Sequence, residues 1–222
     1  MKKILTVTFY CILISNVFAQ KPKIKYGLKA GVNYAKFAIA GGIVTDEAKD
    51  DITGLISFHV GGFADIPVLK SFYLQPGLSL NGKGYKAEST GFGTNSILST
   101  KATIFYLELP VNTIYKTHGF YFGTGPYAAF AIAGKNYIEF INNGVNPPET
   151  TKADEDLEFG NNSKDDYKRL DFGLNVLAGY QLKNGINVGA NYGLGLSNIT
   201  RGENADFKQK NRVVSVSVGY IF

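Results

Sequence analysis

The sequence ends on VVSVSVGYIF, a segment in which an apolar side chain occupies every second position. Successive side chains of a β-strand point to opposite faces, so the segment predicts a strand with one apolar face and one face of small residues. The apolar face carries Val214, Val216, Val218, Tyr220 and Phe222. Such a strand aggregates in water unless a neighbour covers its unpaired backbone groups. The ending therefore predicts a terminal strand that is paired on both sides.

The same alternation recurs upstream, which gives eight candidate strands in all. They lie at about residues 24–37, 57–67, 72–82, 105–115, 119–132, 169–182, 185–197 and 213–222. Each is long enough for the roughly 9 to 11 residues that a tilted strand needs to cross a bilayer. Pro76, Pro110 and Pro126 fall inside these segments, where each removes a ladder hydrogen bond, so we expect them at bulges or strand ends.

The connections between the candidate strands alternate in length. Short connections lie at 68–71, 116–118 and 183–184, and long ones lie at 38–52, 86–102, 133–166 and 198–211. Short periplasmic turns that alternate with long external loops are typical of outer-membrane barrels. We therefore predict an all-β fold: an eight-stranded antiparallel up-and-down transmembrane β-barrel whose last strand pairs with its first and whose apolar face contacts lipid. A soluble lipocalin is disfavoured, because its exterior would be polar.

The first residues have the pattern of a secretory signal peptide. Lys2 and Lys3 precede an apolar stretch, and the small residue Ala19 fits a cleavage site, so we predict a signal peptide at 1–19 and a barrel domain at 20–222. The only cysteine, Cys11, lies in the signal, which excludes disulfides, zinc–cysteine sites and cysteine catalysis in the mature chain. The remaining charge is only slightly positive and does not indicate a nucleic-acid partner.

Seven charged or titratable residues are placed at or near the barrel lumen by the strand register: Lys25, Lys29, His59, Asp65, Glu108, Arg169 and Asp171. They fit either a conducting or binding lumen or a salt-bridged polar plug. The interior of an eight-stranded barrel is only wide enough for side chains to fill, which favours the plug. We expect the strand glycines to make room for inward tyrosines, namely Tyr73, Tyr106, Tyr121 and Tyr127.

Catalytic and metal-binding patterns are weak in this sequence. Catalysis would need a nucleophile and a base within hydrogen-bond reach. His59 falls at mid-membrane depth and His118 in a periplasmic turn, so neither reaches the outer rim where a barrel-embedded enzyme would work, and we predict no catalytic, cofactor-binding or metal-binding residue. The loop at 133–166 is acidic and holds carboxylates that suit Ca²⁺, but it lacks the DxDxDG spacing of a calcium loop. We expect it to be a solvated, mobile loop with too few apolar residues for a core of its own, and we leave divalent-cation binding open.

Five segments together resemble one known family: GLKAGVNYAKF, YLQPGLSLNGKGYK, YLELPVNTIYK, GTGPYAAFAIAGK and VSVGYIF. They are similar to the PorT-like, "porin family" outer-membrane β-barrel domain of the Bacteroidetes, and the resemblance covers nearly the whole mature chain. It implies an eight-stranded barrel in the cell outer membrane, and Phe222 resembles the terminal signal read by the barrel-assembly machinery. The family has no general enzymatic activity and no agreed ligand.

The function expected from these observations is a non-enzymatic surface-interaction or envelope-scaffold role, exerted through the long loops. The expected partners are outer-membrane lipid, the assembly machinery and an unknown extracellular or envelope protein. The alternatives are a small-solute channel of the porin type and a barrel-embedded lipid-modifying enzyme.

Overall fold

The structure is a computed structural model that describes residues 23–40, 52–90, 96–160, 162, 165–200 and 208–222. The predicted signal peptide at 1–19 lies outside the described residues, as do parts of all four predicted long loops, at 41–51, 91–95, 161, 163–164 and 201–207. Within the described ranges, no helix is long and apolar enough to cross a membrane.

The described chain forms ten strands. They are β1 (Lys25–Ala40), β2 (Ile52–Thr53), β3 (Leu55–Leu69), β4 (Phe72–Thr90), β5 (Ser96–Thr117), β6 (Phe120–Asn142), β7 (Glu149–Asp156), β8 (Leu170–Gln181), β9 (Ile186–Gly195) and β10 (Lys208–Ile221). Eight of them form a closed antiparallel ring in the order β1, β3, β4, β5, β6, β8, β9, β10, whereas β2 and β7 add to β4 and β6 outside it.

The ring closes between the first and last strands. β1 and β10 pair antiparallel from Gly27 opposite Ile221 to Ala40 opposite Lys208. The terminal strand is also paired with β9, so both of its edges are covered. The predicted eight-stranded antiparallel barrel is confirmed, because each ring strand has a neighbour on both sides and no edge is left inside a bilayer.

The apolar faces point outward along the ring strands, as the alternation predicted. Val216 and Val218 are 62% and 60% exposed, whereas Ser215, the residue before Val216 on β10, is buried. The same contrast holds on β1, where Val32 is exposed and Asn33 is fully buried. Apolar side chains outside and polar side chains inside are the reverse of a soluble barrel and are what a lipid-facing surface requires.

Aromatic side chains mark both edges of the apolar band. At the edge with the short turns, three ring pairs have centroids about 5 Å apart: Phe72 with Tyr115, Phe120 with Tyr180, and Tyr220 with Phe222. At the opposite edge, Tyr34 on β1 and Tyr192 on β9 flank Val214 on β10. Aromatic girdles of this kind lie at the two interfaces of outer-membrane barrels.

The three short turns lie at one end of the barrel. The β5–β6 turn uses positive φ angles at His118 (49°) and Gly119 (86°), and the β8–β9 turn uses one at Gly185 (92°). Glycine adopts this backbone region at no steric cost, which is why the chain reverses so tightly at the last two positions. The predicted short connections are confirmed.

The predicted long connections at 86–102 and 133–166 differ from the structure, because strands occupy much of them. β4 continues to Thr90, β5 starts at Ser96, β6 runs to Asn142, and β7 pairs with it over its full length. We call residues 84–90, 96–104, 134–142 and 149–156 the protruding sheet. Its residues alternate without a continuous apolar face, so a search for apolar periodicity does not detect these strands.

The prolines also differ from expectation. Pro76 and Pro110 lie in the middle of β4 and β5 without any register shift, and the true bulges lie at Pro67/Leu69 and at Phe105/Tyr106. The ladder has a short gap at each proline: 64–65 with 75–76 at Pro76, 77–78 with 109–110 at Pro110, and 111–112 with 125–126 at Pro126. Each missing N–H therefore opens a short gap in the ladder instead of shifting the strand.

We expect Val188→Arg to destabilise the folded barrel by about 2–4 kcal/mol, the cost of a cation near the bilayer midplane of such a protein. Val188 lies opposite Val218, midway between the two aromatic edges, and points outward. Urea unfolding in phospholipid vesicles measures the change. Val188→Ala is the control and should cost less, since it removes apolar contact without adding charge. Equal losses in both variants would show that this face does not contact lipid.

Candidate functional site in the barrel lumen

The external mouth of the lumen is closed by an apolar cluster. Phe37, Ile104 and Ile199 are buried there. The segment after β7 packs Leu157, Phe159 and Tyr167 against them. This corrects the expectation that the acidic loop has too few apolar residues for a core, since Leu157 and Phe159 of the loop and the adjoining Tyr167 pack into a core shared with the barrel.

Tyr167 shows how closely this cap is packed. Its ring lies edge-on to Phe37 at 6.0 Å between centroids, and Phe37 contacts Tyr85 at 5.0 Å. Burial raises the pKa of the Tyr167 phenol, and the neighbouring Tyr85 adds to this effect. The phenol therefore stays neutral, which suits its apolar surroundings.

Beneath the cap, three buried charges from three strands meet across the lumen. The Lys83 ammonium of β4 lies 2.8 Å from Oε2 of Glu108 on β5 and 3.1 Å from Oδ2 of Asp171 on β8. All three side chains are almost fully buried. We call them the lumen triad. An ammonium paired with two carboxylates inside the lumen agrees with the salt-bridged polar plug that the sequence favours.

Neighbouring side chains compensate the charges of the lumen triad. The Lys83 ammonium lies over the rings of Tyr127 and Tyr106, at 4.2 and 5.1 Å from their centroids. Asp171 accepts hydrogen bonds from the Tyr127 hydroxyl at 3.2 Å, from Asn211 Nδ2 at 2.9 Å and from Ser197 Oγ at 2.8 Å. Buried charges are tolerated when they are paired and hydrogen-bonded in this way.

Further inside, His59 is held by an amide. Its Nδ1 lies 2.7 Å from Asn33 Oδ1, while Asn33 Nδ2 donates to the carbonyls of Gly82 at 3.0 Å and Phe58 at 3.2 Å. Because the amide nitrogen of Asn33 is committed to carbonyls, its oxygen faces the imidazole and His59 Nδ1 is the donor. The arrangement fixes the ring in place and gives it no nucleophile to activate.

A polar cavity of about 60 Å³ lies between the lumen triad and the periplasmic end. Its lining includes Lys29, Glu108, Asn112, Asn187 and Asn191. Buried amide atoms of the three asparagines have no hydrogen-bond partner in the protein. The volume suits a few water molecules that bridge such groups and is far below the roughly 300 Å³ of a small ligand pocket.

The periplasmic end of the lumen has its own closure. The Lys116 ammonium lies 2.5 Å from Asp65 Oδ2 and 3.1 Å from Gln181 Oε1, and it sits over the Tyr73 ring. Gln75 Nε2 donates to the second Asp65 oxygen at 2.8 Å. Ion pairs therefore close the bore at two levels, with the small cavity between them.

The seven residues predicted for the lumen fall into two groups. Lys29, His59, Asp65, Glu108 and Asp171 lie inside. Lys25 lies near the lumen and not inside it, because it is directly opposite Asp65 but is the exposed first residue of β1. Arg169 is wrong as an interior residue: it precedes β8, its guanidinium donates to the Phe159 carbonyl at 2.6 Å, and it lies over the outward Phe130 ring.

Two central cations, Lys83 and Lys116, were missed from the sequence. Both fall on inward positions of their strands, two residues beyond Asn81 and four beyond Asn112 respectively. The alternation therefore held the signal. The inward position of Lys83 was not recognised because glycines flank it, and that of Lys116 was not recognised because it lies beside a turn.

The prediction that glycines make room for lumen tyrosines is confirmed at two places. A Cβ at Gly173 would overlap the Tyr127 ring, and a Cβ at Gly179 or Gly189 would overlap the Tyr121 hydroxyl. The tyrosines fill the bore because the facing strands carry no side chain at these positions.

Outside the membrane band, the protruding sheet forms a second candidate site. Its outward face lines a groove of about 740 Å³ with Lys86, Lys101, Lys135, Tyr137 and Glu139. Lys135 pairs with Asp154 at 3.2 Å and with Asp156 at 3.6 Å, and Lys152 pairs with Glu139 at 2.9 Å. The hydrogen bond to Asp154 raises the pKa of Lys135, and the one to Glu139 raises the pKa of Lys152.

Several carboxylates of the predicted acidic loop are thus engaged with lysines. Over the part of the chain that the structure describes, no group of three or more His, Cys, Asp or Glu side chains could hold a metal ion. His118 lies in the β5–β6 turn with its Nδ1 2.9 Å from the Thr117 hydroxyl.

Comparison with known proteins identifies the kind of barrel. The family model described as "Outer membrane protein beta-barrel domain" matches residues 18–201. Similar solved structures include Ail of Yersinia pestis (8% identity, TM-score 0.42, covering 90% of this chain and 99% of that chain) and neisserial surface protein A (13%, 0.38, 89% and 97%). OprG of Pseudomonas aeruginosa is similar at 12% identity and a TM-score of 0.36, covering 90% and 97%. No curated protein matches the chain.

We expect Lys83→Met to destabilise the barrel by about 3–5 kcal/mol, because Glu108 and Asp171 then remain as buried, unpaired negative charges. The triple change Lys83→Met, Glu108→Gln and Asp171→Asn should recover most of the loss, since it removes all three charges together. Urea unfolding in vesicles measures both variants. If Lys83→Met alone were as stable as the wild type, Lys83 would not be neutralising the buried charges of Glu108 and Asp171.

Proposed function

We propose that this chain, which belongs to the family of outer membrane protein beta-barrel domains, acts at the cell surface through its protruding sheet, in a non-enzymatic interaction or envelope-scaffold role. The protein is an outer-membrane barrel, and that location is the premise of the proposal. We also propose that the chain is a member of the PorT-like porin family, and that the barrel-assembly machinery recognises Phe222, which is exposed.

The observation that carries the proposal is the protruding sheet. Four strands extend past the apolar band on one side of the barrel and hold their shape through a continuous ladder and cross-strand ion pairs. Its groove combines exposed lysines and carboxylates with the half-exposed ring of Tyr137. A polar face with an aromatic anchor of this kind suits a protein or glycan partner.

The lumen favours this role over transport. An apolar cap, the lumen triad and the Lys116–Asp65 pair lie in series along the bore. A solute would have to separate buried ion pairs, at a cost of several kcal/mol each. The cavity of about 60 Å³ is the observation that keeps a small-solute channel as a second candidate, because it provides a hydrated segment in mid-lumen.

The enzyme alternative finds little support in the contacts. His59 is bound to an amide, and His118 lies beside Thr117 at the end with the short turns, away from the external lipid surface. A general base needs a nucleophile within hydrogen-bond reach, and neither imidazole has a suitable one in a cleft.

In planar bilayers we expect the purified barrel to give no steady channel openings. The variant Lys83→Ala, Glu108→Ala, Tyr127→Ala removes the central side chains and should give measurable conductance, which shows that the assay responds when the bore is opened. Steady, large openings of the wild-type protein would support the channel instead.

A photoreactive amino acid placed at Lys101 or Tyr137 should form a discrete cross-linked product on intact cells, because both side chains line the exposed groove. The matched position Lys183, exposed in the β8–β9 turn, should give no product with an extracellular partner. Blot mobility of the tagged protein measures both. The same product from Lys183, or none from the groove under conditions where the protein is functional, would contradict the proposal.

A further inference from the structure

The outward face of β1 and β10 changes abruptly from apolar to cationic. Along β10 the outward side chains run from Phe222 to Val214 and then become Arg212, Lys210 and Lys208. On β1, Lys36 follows Tyr34 on the same face and lies directly opposite Arg212. We call Lys36, Lys208, Lys210 and Arg212 the basic row.

The basic row has no counter-charge within the described residues. Among the residues that the structure describes, no carboxylate forms an ion pair with Lys36, Lys208 or Lys210, and the β9 residue opposite Arg212 is Leu194. The Arg212 guanidinium donates to the carbonyls of Gly195 at 2.6 Å and Asn211 at 2.9 Å, which fixes its position and leaves its charge unneutralised.

The lysines of the protruding sheet, on the other side of the barrel, differ from the basic row because they have carboxylate partners. There Lys86 pairs with Glu88 at 2.5 Å, and Lys135 and Lys152 each have a carboxylate from a neighbouring strand. Like charges directly opposite each other destabilise a sheet. The basic row therefore carries a repulsion that its own strands do not relieve, and an external anion would relieve it.

The position of the basic row along the membrane normal indicates which kind of anion would bind it. From Phe222 to Val214 the strand climbs about 26 Å, or about 20 Å along the membrane normal at a tilt of about 40°. The apolar band of such barrels is about 25 Å tall, so Arg212 lies at its external edge and Lys210 and Lys208 lie at the depth of the headgroups. The row of Tyr34, Val214 and Tyr192 immediately below marks the same edge.

We propose that the basic row binds the phosphate groups of an anionic lipid in the external leaflet of the outer membrane. Arginine and lysine form charge-assisted hydrogen bonds to phosphate oxygens, and the fixed guanidinium of Arg212 presents its donors in a planar array. The acyl chains of the same lipid lie against Val32, Tyr34 and Val214, which are all exposed. The site is independent of the groove on the protruding sheet.

The test uses the full mature barrel, folded in detergent, and native mass spectrometry with bisphosphorylated lipid A as the probe. The variant Lys36→Gln, Lys208→Gln, Lys210→Gln should bind about a hundredfold more weakly, given about 1 kcal/mol for each of the three basic residues near an anionic lipid surface. The matched control Lys25→Gln, Lys70→Gln, Lys183→Gln removes the same charge from exposed residues at the periplasmic end and should bind as the wild type does. The single variants Lys36→Gln and Lys208→Gln give the same comparison if the triple variant does not fold.

Two further probes separate the sources of phosphate. Dephosphorylated lipid A should bind the wild type as weakly as the triple variant binds lipid A, and inorganic phosphate alone should not compete at equal concentration. Equal losses in both triple variants, or equal affinity for the dephosphorylated lipid, would overturn the proposal. Full competition by inorganic phosphate would show a free-anion site and would also overturn the assignment to a lipid.

Discussion

The pairing of β1 with β10 is the constraint on which the rest of this structure depends. A bilayer offers no water to satisfy backbone groups, so a sheet can cross it only when its first and last strands join. The continuous register from Gly27–Ile221 to Ala40–Lys208 achieves this closure. Once the ring is closed, alternation sends every second side chain into a bore of fixed width, and the contents of that bore follow from the register.

The lumen is therefore a layered core whose polarity changes with depth. Apolar rings from the barrel and from the segment after β7 pack at the external mouth, the lumen triad lies below them, and a hydrated cavity separates it from the Lys116–Asp65 pair. The charges of the lumen triad and of the Lys116–Asp65 pair each have a partner of opposite sign. Buried ion pairs are weak stabilisers when compared with apolar packing, but they are costly to break singly. A core of this kind resists partial opening.

How much of this could be predicted from the sequence depends on which signal each residue carried. Alternation along the ring strands was sufficient for the ring, the lipid-facing side chains and the inward positions of Glu108 on β5 and Asp171 on β8. Arg169 was misplaced because it precedes β8, where strand parity no longer determines its direction. The sequence predicts loops where the protruding sheet lies, because the strands of this sheet have no continuous apolar face. Cross-strand ion pairs such as Lys152 with Glu139 stabilise the sheet. These two residues are 13 positions apart, so they cannot be matched before the register is known.

Strand β7 has a consequence for how these molecules behave next to one another. The ring leaves no free edge, but β7 pairs only with β6 over the described residues, so its other side presents backbone donors and acceptors to solvent. Such an edge invites a strand from a second molecule. Its sequence, ETTKADED, carries Lys152, Glu149 and three further carboxylates, and every residue is exposed. Like charges opposite each other destabilise a strand pair, so this acidic edge disfavours pairing with a second copy of itself, and a partner strand that docks there would need to bring positive charge.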